Sequence, residues 1–200
     1  MNPERLEQQI EFIRETEKLK TVFRKNMVID RTRPENSAEH SWHVALMALV
    51  LGEYANDSAI DLRKVLTMLL IHDLVEIDGG DTWLYDNHAN AQKADKEQSC
   101  AERIFALLPA DQATGFMALW QEFEAGETPE ARFAGALDAM HPLINHQVTG
   151  GELIRGAHIP ARVVIDKKSH IAKGAQDLWT YARGIIAAGV RSGLYVDDPE

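Results

Sequence analysis

Between Pro129 and Asn145 the chain reads PEARFAGALDAMHPLIN, a segment apolar on nearly every side with one carboxylate, Asp138, in its middle. Thr128-Pro129-Glu130 opens it with a strong start signal: a threonine N-cap, proline at the first position and an acid in the first turn. A helix without a polar face must be central, with other helices laid around it. A carboxylate in such a place costs several kcal/mol unless it meets a strong partner, so a metal ion or a buried cation is the favoured reading of Asp138. His141 and His146 follow it, and Pro142 is expected to kink the helix.

A second stretch points the same way. Leu66 to Asp86, LTMLLIHDLVEIDGGDTWLYD, carries an apolar helical run directly onto His72 and Asp73, and Glu76, Asp78 and Asp81 come soon after. Ionisable groups rarely end a buried segment unless they are paired or hold a metal. Glu76 shares a helix face with the doublet if the helix continues. Gly79-Gly80 permits a sharp turn that returns Asp81 towards it, whereas loop capping suits Asp78 better. This stretch reads as one wall of a metal site.

The remaining chain supplies the other walls. Pro3 to Val22 has helical spacing through Leu6, Ile10, Ile13 and Leu19. Phe23 to Asn36 breaks that pattern and concentrates Arg24, Lys25, Arg31 and Arg33; on its own it reads equally as a solvated loop or as a working basic segment. Ser37 is the expected N-cap of a helix running to about Ala55, with His40 and His43 in its first turns. These two are three residues apart, so one can be a ligand and the other a neighbouring or core histidine. The place of His40 directly behind the arginines favours it. Further helices are expected over Asp61 to Ile71, Ala89 to Leu108, Ala110 to Ala125, and Pro160 to Ala188 in one or two pieces divided near Gly174. The last is assigned to packing or subunit contact. With no strand alternation, repeat or low-complexity stretch, the chain reads as all-α, a single domain over residues 1–200.

Charge and composition exclude several classes. A net charge of −10 argues against a nucleic-acid polymer or an anionic membrane as the main partner, while a local arginine cluster or a metal can still receive a small anion. The single cysteine, Cys100, rules out an internal disulfide and a cysteine-rich zinc module. The start, MNPERLEQQIEFIRE, lacks the apolar core of a signal peptide, and no apolar run approaches the ~20 residues of a membrane span. The expectation is a cytoplasmic protein.

Collected, the ligand candidates are His40, His72, Asp73 and Asp138, from three expected helices. Two imidazoles and two carboxylates suit one divalent transition ion (Mn, Co, Fe, Ni or Zn) better than Ca or Mg, and leave positions for water and a substrate oxygen. The order His, His-Asp, Asp resembles the HD-domain metal-dependent phosphohydrolases. The finer texture is similar to their 5′-deoxynucleotidase branch: LKTVFR from Leu19 to Arg24, RPENSAEHS from Arg33 to Ser41, HDLVE and GD from His72 to Asp81, and ALDAMHPLIN from Ala136 to Asn145. The resemblance covers Leu19 to Asn145. It implies a compact helical bundle with the metal in its core and a homodimer. It also implies phosphomonoester hydrolysis, with (deoxy)ribonucleoside 5′-monophosphates as substrates. Carried over by position, it makes His40, His72, Asp73 and Asp138 the metal ligands. It sets Glu76 and Asp81 to work on the attacking water or leaving oxygen, and Arg24 to hold the phosphate. The sequence departs from the branch where Met27 stands in place of a sugar-facing tryptophan, and where GDTWLYD lacks the proline often found after GD. Competing readings are an HD hydrolase of another phosphate ester or of a guanosine polyphosphate, and a non-catalytic helical module that keeps a metal for stability. Glu76 and Asp81 speak against the last, since a structural site needs neither.

Overall fold

The computed structural model describes residues 3–86 and 93–197. The long apolar segment forms α7 (Pro129–Thr149), and it is central. Thr128 caps it by accepting from the Ala131 amide, with Pro129 at the first turn, and the helix continues through Pro142 to a left-handed stop at Gly150. Phe133, Ala134, Ala136 and Leu137 are fully buried along it. Around α7 pack α2 (Ser37–Leu51), α3 (Leu62–Ile71), α6 (Ala110–Ala125) and, from the C-terminal part, α9 (Ile171–Gly174) and α10 (Gln176–Arg191). Among the described residues the remaining helices are α1 (Pro3–Thr16), α4 (Glu76–Gly79), α5 (Lys93–Phe105) and α8 (Ala161–Lys168). The expected helix from Ala89 to Leu108 therefore corresponds to α5, and the beginning of that expected range lies outside the described residues.

The segment between α1 and α2 is not simply a loop. It forms a small antiparallel pair, β1 (Phe23–Met27) with β2 (Pro34–Asn36), in which Phe23 faces Asn36, Met27 faces Pro34 and the register shifts between. The pair falls in the range that periodicity left unassigned, because strands this short carry too few residues for alternation to show. Its output is positional. It lifts Arg24 inwards and delivers Asn36 to the start of α2. Asn36, rather than the expected Ser37, is the N-cap: it accepts from the Glu39 amide, and the Glu39 carboxylate reciprocates on the Asn36 amide. That frees the Ser37 hydroxyl for another task.

Two apolar clusters build the interior. One surrounds α7 and includes Val44, Met68, Leu69, Leu143, Ile171 and Ile186. The other lies under α1, α5 and α6, with Phe12, Ile71, Leu74, Phe105 and Trp120. The chain crosses from the first to the second between Leu69 and Leu74, and His72-Asp73 sits on that seam.

Candidate metal centre

At the end of α3 the helix tightens: His72–Val75 is a 3-10 turn, and α4 resumes at Glu76. The Nδ1 of His72 lies 2.9 Å from the Leu69 carbonyl, so the ring donates there and turns its Nε2 inwards. That Nε2 is buried and has no hydrogen-bond partner among the described residues. It faces Asp73 Oδ1 at 3.1 Å and Asp138 Oδ1 at 3.7 Å. From the first turns of α2, His40 brings its Nε2 to 2.9 Å from Asp138 Oδ1 and 4.0 Å from Asp73 Oδ2. Ligand atoms of His40, His72 and Asp73 all lie within 4.8 Å of one another. Atoms bound to one divalent ion at ~2.0–2.2 Å must gather this closely, and an imidazole nitrogen buried without a partner is what such an ion satisfies. The residues present fit the group, with Asp138 as the adjoining fourth donor.

Charge agrees with shape. Burial, aided by Arg24, pushes His40 down to about 4, so it is a neutral imidazole. Burial also opposes a charge on His72, yet Asp73 and Asp138 overcome it and lift that ring to about 9. Asp138 is held well below the usual carboxylate range by His40 and His72 in spite of its own burial. The pocket thus draws in positive charge.

Behind His40 a relay continues outward. Its Nδ1 meets Nδ1 of His141 at 2.9 Å, and His141 Nε2 lies 3.7 Å from Glu35 Oε1. If Nε2 of His40 took an ion, its Nδ1 would carry the proton and donate to His141, whose own proton would then point at Glu35. His43 stacks on the outer side of His141, ring centroids 4.5 Å apart, away from the ligand atoms.

Glu76 lies next to this group. Ser37 Oγ donates to its Oε2 at 2.6 Å, and burial followed by the charge of Asp73 raises it well above the ordinary carboxylate value. Arg24 Nη1 donates to Asp73 Oδ2 at 2.8 Å and stands 3.9 Å from Glu76 and 3.8 Å from Asp81. Its Nε–H is buried without a hydrogen-bond partner among the described residues. Gly80 adopts φ +72°, the left-handed turn that brings Asp81 back to the site. Asp78 instead pairs with Arg103 on the surface. The structure therefore gathers His40, His72, Asp73, Asp138, Glu76, Asp81 and Arg24 in one place.

That place is the end of a cavity of about 160 Å³. It is lined by Arg24, Asp73, Glu76, Asp81 and Asp138, and also by Trp83, Tyr85, His146 and Lys168. Met27 does not line it. It is buried, and its carbonyl accepts from Asn145 Nδ2. The aromatic surface comes from the GDTWLYD stretch, where Trp83 and Tyr85 pack edge to face at 5.5 Å. A second cavity, of about 390 Å³, opens on the other side of His72, Asp73 and Asp138, lined also by Phe123, Arg132, His170 and Lys173.

The HD domain family matches residues 16–179, a span that contains all seven residues just placed. The chain belongs to the HD domain family. A solved structure described as a predicted metal-dependent phosphohydrolase, from Magnetospirillum magnetotacticum MS-1, is 45% identical, covers 96% of this chain with 95% of its own, and superposes with a TM-score of 0.90. The PH0347 protein of Pyrococcus horikoshii OT3, 24% identical over 88% of this chain and 99% of its own, shares the HD fold at a TM-score of 0.63. Among curated relatives, human 5′-deoxynucleotidase HDDC2 is 31% identical over 130 residues, which is 64% of this chain and 62% of the relative. The Schizosaccharomyces pombe 5′-deoxynucleotidase hdd1 is 26% identical over 53% of this chain and 54% of its own length. This HD chain thus spans under two thirds of the length of these two curated relatives.

Lys168 escaped the sequence reading. Its signal was present: Val164, Lys168 and Ile171 are buried at helical spacing, which puts a lysine on the inward face of α8. Burial lowers it to about 8, so it keeps its proton at neutral pH. His146 stands nearby, with Nδ1 3.2 Å from the Tyr195 hydroxyl and a buried Nε2 without a partner among the described residues.

Proposed function

We propose that this HD protein is a divalent-metal-dependent phosphomonoesterase acting on (deoxy)ribonucleoside 5′-monophosphates. The observation that carries the reading is the buried, partnerless Nε2 of His72 facing two carboxylates, beside a cavity that begins at Arg24. The names borne by the relatives supply the substrate class. His40, His72, Asp73 and Asp138 would hold the ion, one of Mn, Co, Fe, Ni or Zn. When bound there, such an ion supplies Lewis acidity that polarises a phosphoryl oxygen and acidifies water.

The chain's own residues supply the rest. Glu76, raised above the ordinary carboxylate value and fixed by Ser37, acts in its ionised form and takes a proton from the attacking water as the water oxygen bonds to phosphorus. The ester P–O bond breaks, the leaving nucleoside oxygen takes a proton from Asp81, and the proton gained by Glu76 returns to Asp81 through solvent. Arg24 presents a forked cation to the phosphate oxygens. Trp83 and Tyr85 give the nucleoside an apolar face and take the place expected for the side chain at Met27. We further place residues 1–200 in one HD-type domain, acting in the cytoplasm as a homodimer. The exposed row Trp42, Leu46, Leu49 and Val50 on α2 is an apolar face suited to a second copy.

Replacing Glu76 by glutamine tests the assignment. Metal content and folding should be retained while turnover falls about 100- to 10,000-fold. Unaffected turnover would remove Glu76 from the chemistry.

A further inference from the structure

Arg24 is poorly placed to hold a phosphate alone. Its Nη1 is committed to Asp73, and Glu76, Asp81 and Glu35 all stand within 3.9 Å of the guanidinium. Four carboxylates compete for one cation, whereas a phosphomonoester brings two further negative charges. The ion held by His40, His72, Asp73 and Asp138 would meet one side of such a dianion, and with Arg24 so heavily shared, the oxygens turned away from the ion favour a further positive group in the cavity.

We propose that Lys168 is that group: a substrate-binding residue of the same cavity, contacting the phosphate together with Arg24. Three observations carry it. Lys168 is 7% exposed and lines the same cavity as Arg24, Asp73 and Asp138. Its ammonium has neither hydrogen bond nor ion pair among the described residues, although a buried charge ordinarily costs several kcal/mol without a partner. The wall around it is built: Tyr195 fixes His146, whose Nε2 is likewise unpartnered, and Tyr195 is anchored by the Val196 amide donating to Ile159 and the Ala161 amide donating to Val196. Two unpartnered polar groups lining one cavity with a cluster of metal-type donors describe a seat for an anion rather than for an apolar molecule. The second cavity carries Arg132 and Lys173 instead and contains neither Arg24 nor Lys168. The inference rests on the phosphohydrolase reading and names a residue of that same site.

The test compares wild type with K168M, K168R and K168Q, all metal-loaded, by nucleotide hydrolysis and by calorimetric binding of inorganic phosphate. K168M keeps the side-chain volume, and K168Q substitutes for it should methionine prevent folding. Loss of the charge should raise KM and the phosphate Kd about 10- to 100-fold, with metal content unchanged and K168R restoring most of the affinity. If wild type turns over nucleotides and the neutral variants match it in both KM and phosphate Kd, the role of Lys168 is overturned and the phosphohydrolase reading stands. Loss of metal from the neutral variants would also overturn it, by making Lys168 a support for Asp138. Absence of phosphate release by every protein, wild type included, overturns both.

Discussion

At the level of single residues, the relay His40–His141–Glu35 backs the candidate ligand His40. It dictates which nitrogen of His40 carries the lone pair, and outer partners of this kind contribute strongly to metal affinity. His141→Ala should weaken metal binding about 10- to 100-fold by equilibrium titration, and His141→Gln, which can still accept from His40, should recover part of it. Equal affinities in all three proteins would reduce His141 to packing. His146 gives a prediction about pH. Burial, with Lys168 nearby, depresses it to about 4, so the unfolded chain binds more protons than the folded one below its ordinary value of 6.5. Its contribution to stability is therefore complete above that value and is lost as pH falls towards 4. Between about pH 7 and pH 5, wild type should lose roughly 2 kcal/mol more unfolding free energy than His146→Gln, read from urea titrations. The metal residues were legible in sequence because each is an ionisable group at a place that apolar periodicity marks as buried. Ser37 and Glu35 were not: a serine or glutamate beside a helix start reads as a cap, and only the fold shows that Asn36 takes the cap and leaves Ser37 to Glu76.

Among the elements, α7 was predictable in its start and its centrality, since Thr128-Pro129 opens it and its apolar faces leave no alternative, although it runs one turn past Asn145 to Thr149. The strand pair and the 3-10 turn at His72 were not, because both are set by tertiary contacts rather than by periodicity. The C-terminal segment was read as packing, and α10 does bury Leu178, Ala182 and Ile186, but α8 also carries Lys168 into the cavity. What holds α8 and α9 at that distance is Gly174. A Cβ there would stand 2.1 Å from the Arg132 carbonyl oxygen of α7, a rigid backbone atom. Gly174→Ala should cost about 1–3 kcal/mol or more of stability, measured by chemical denaturation. If the proposal for Lys168 holds, phosphate affinity should fall in the same variant. A fully stable Gly174→Ala would mean that α9 can slide on α7 and that the register of this wall is soft.

For the whole molecule, the site lies where two apolar clusters meet, with ligands from α2, the turn after α3, and α7. An ion bound there ties three elements together, so it should act as a stabiliser by linkage. Saturating metal at 100 times its Kd adds about 2.7 kcal/mol, and its removal should lower Tm by roughly 5–10 °C. The homodimer is tested by sedimentation: Trp42→Glu, on the exposed face of α2, should shift the protein to monomer. An unchanged profile would send the interface elsewhere. All-α architecture and the clustering of His40, His72, Asp73 and Asp138 could be read from sequence; the shape of the cavity could not, because His146 and Lys168 reach it from distant parts of the chain and the turn after Asp81 decides where Trp83 and Tyr85 point. The most direct measurement is phosphate release from ribo- and deoxyribonucleoside 5′-monophosphates by metal-stripped protein, with Mn, Co, Ni, Zn and Mg returned one at a time. The account predicts no release without metal and release restored by at least one transition ion in step with its binding to His40, His72, Asp73 and Asp138. Release that persists undiminished in stripped protein, or its absence from every metal-loaded sample, would contradict it.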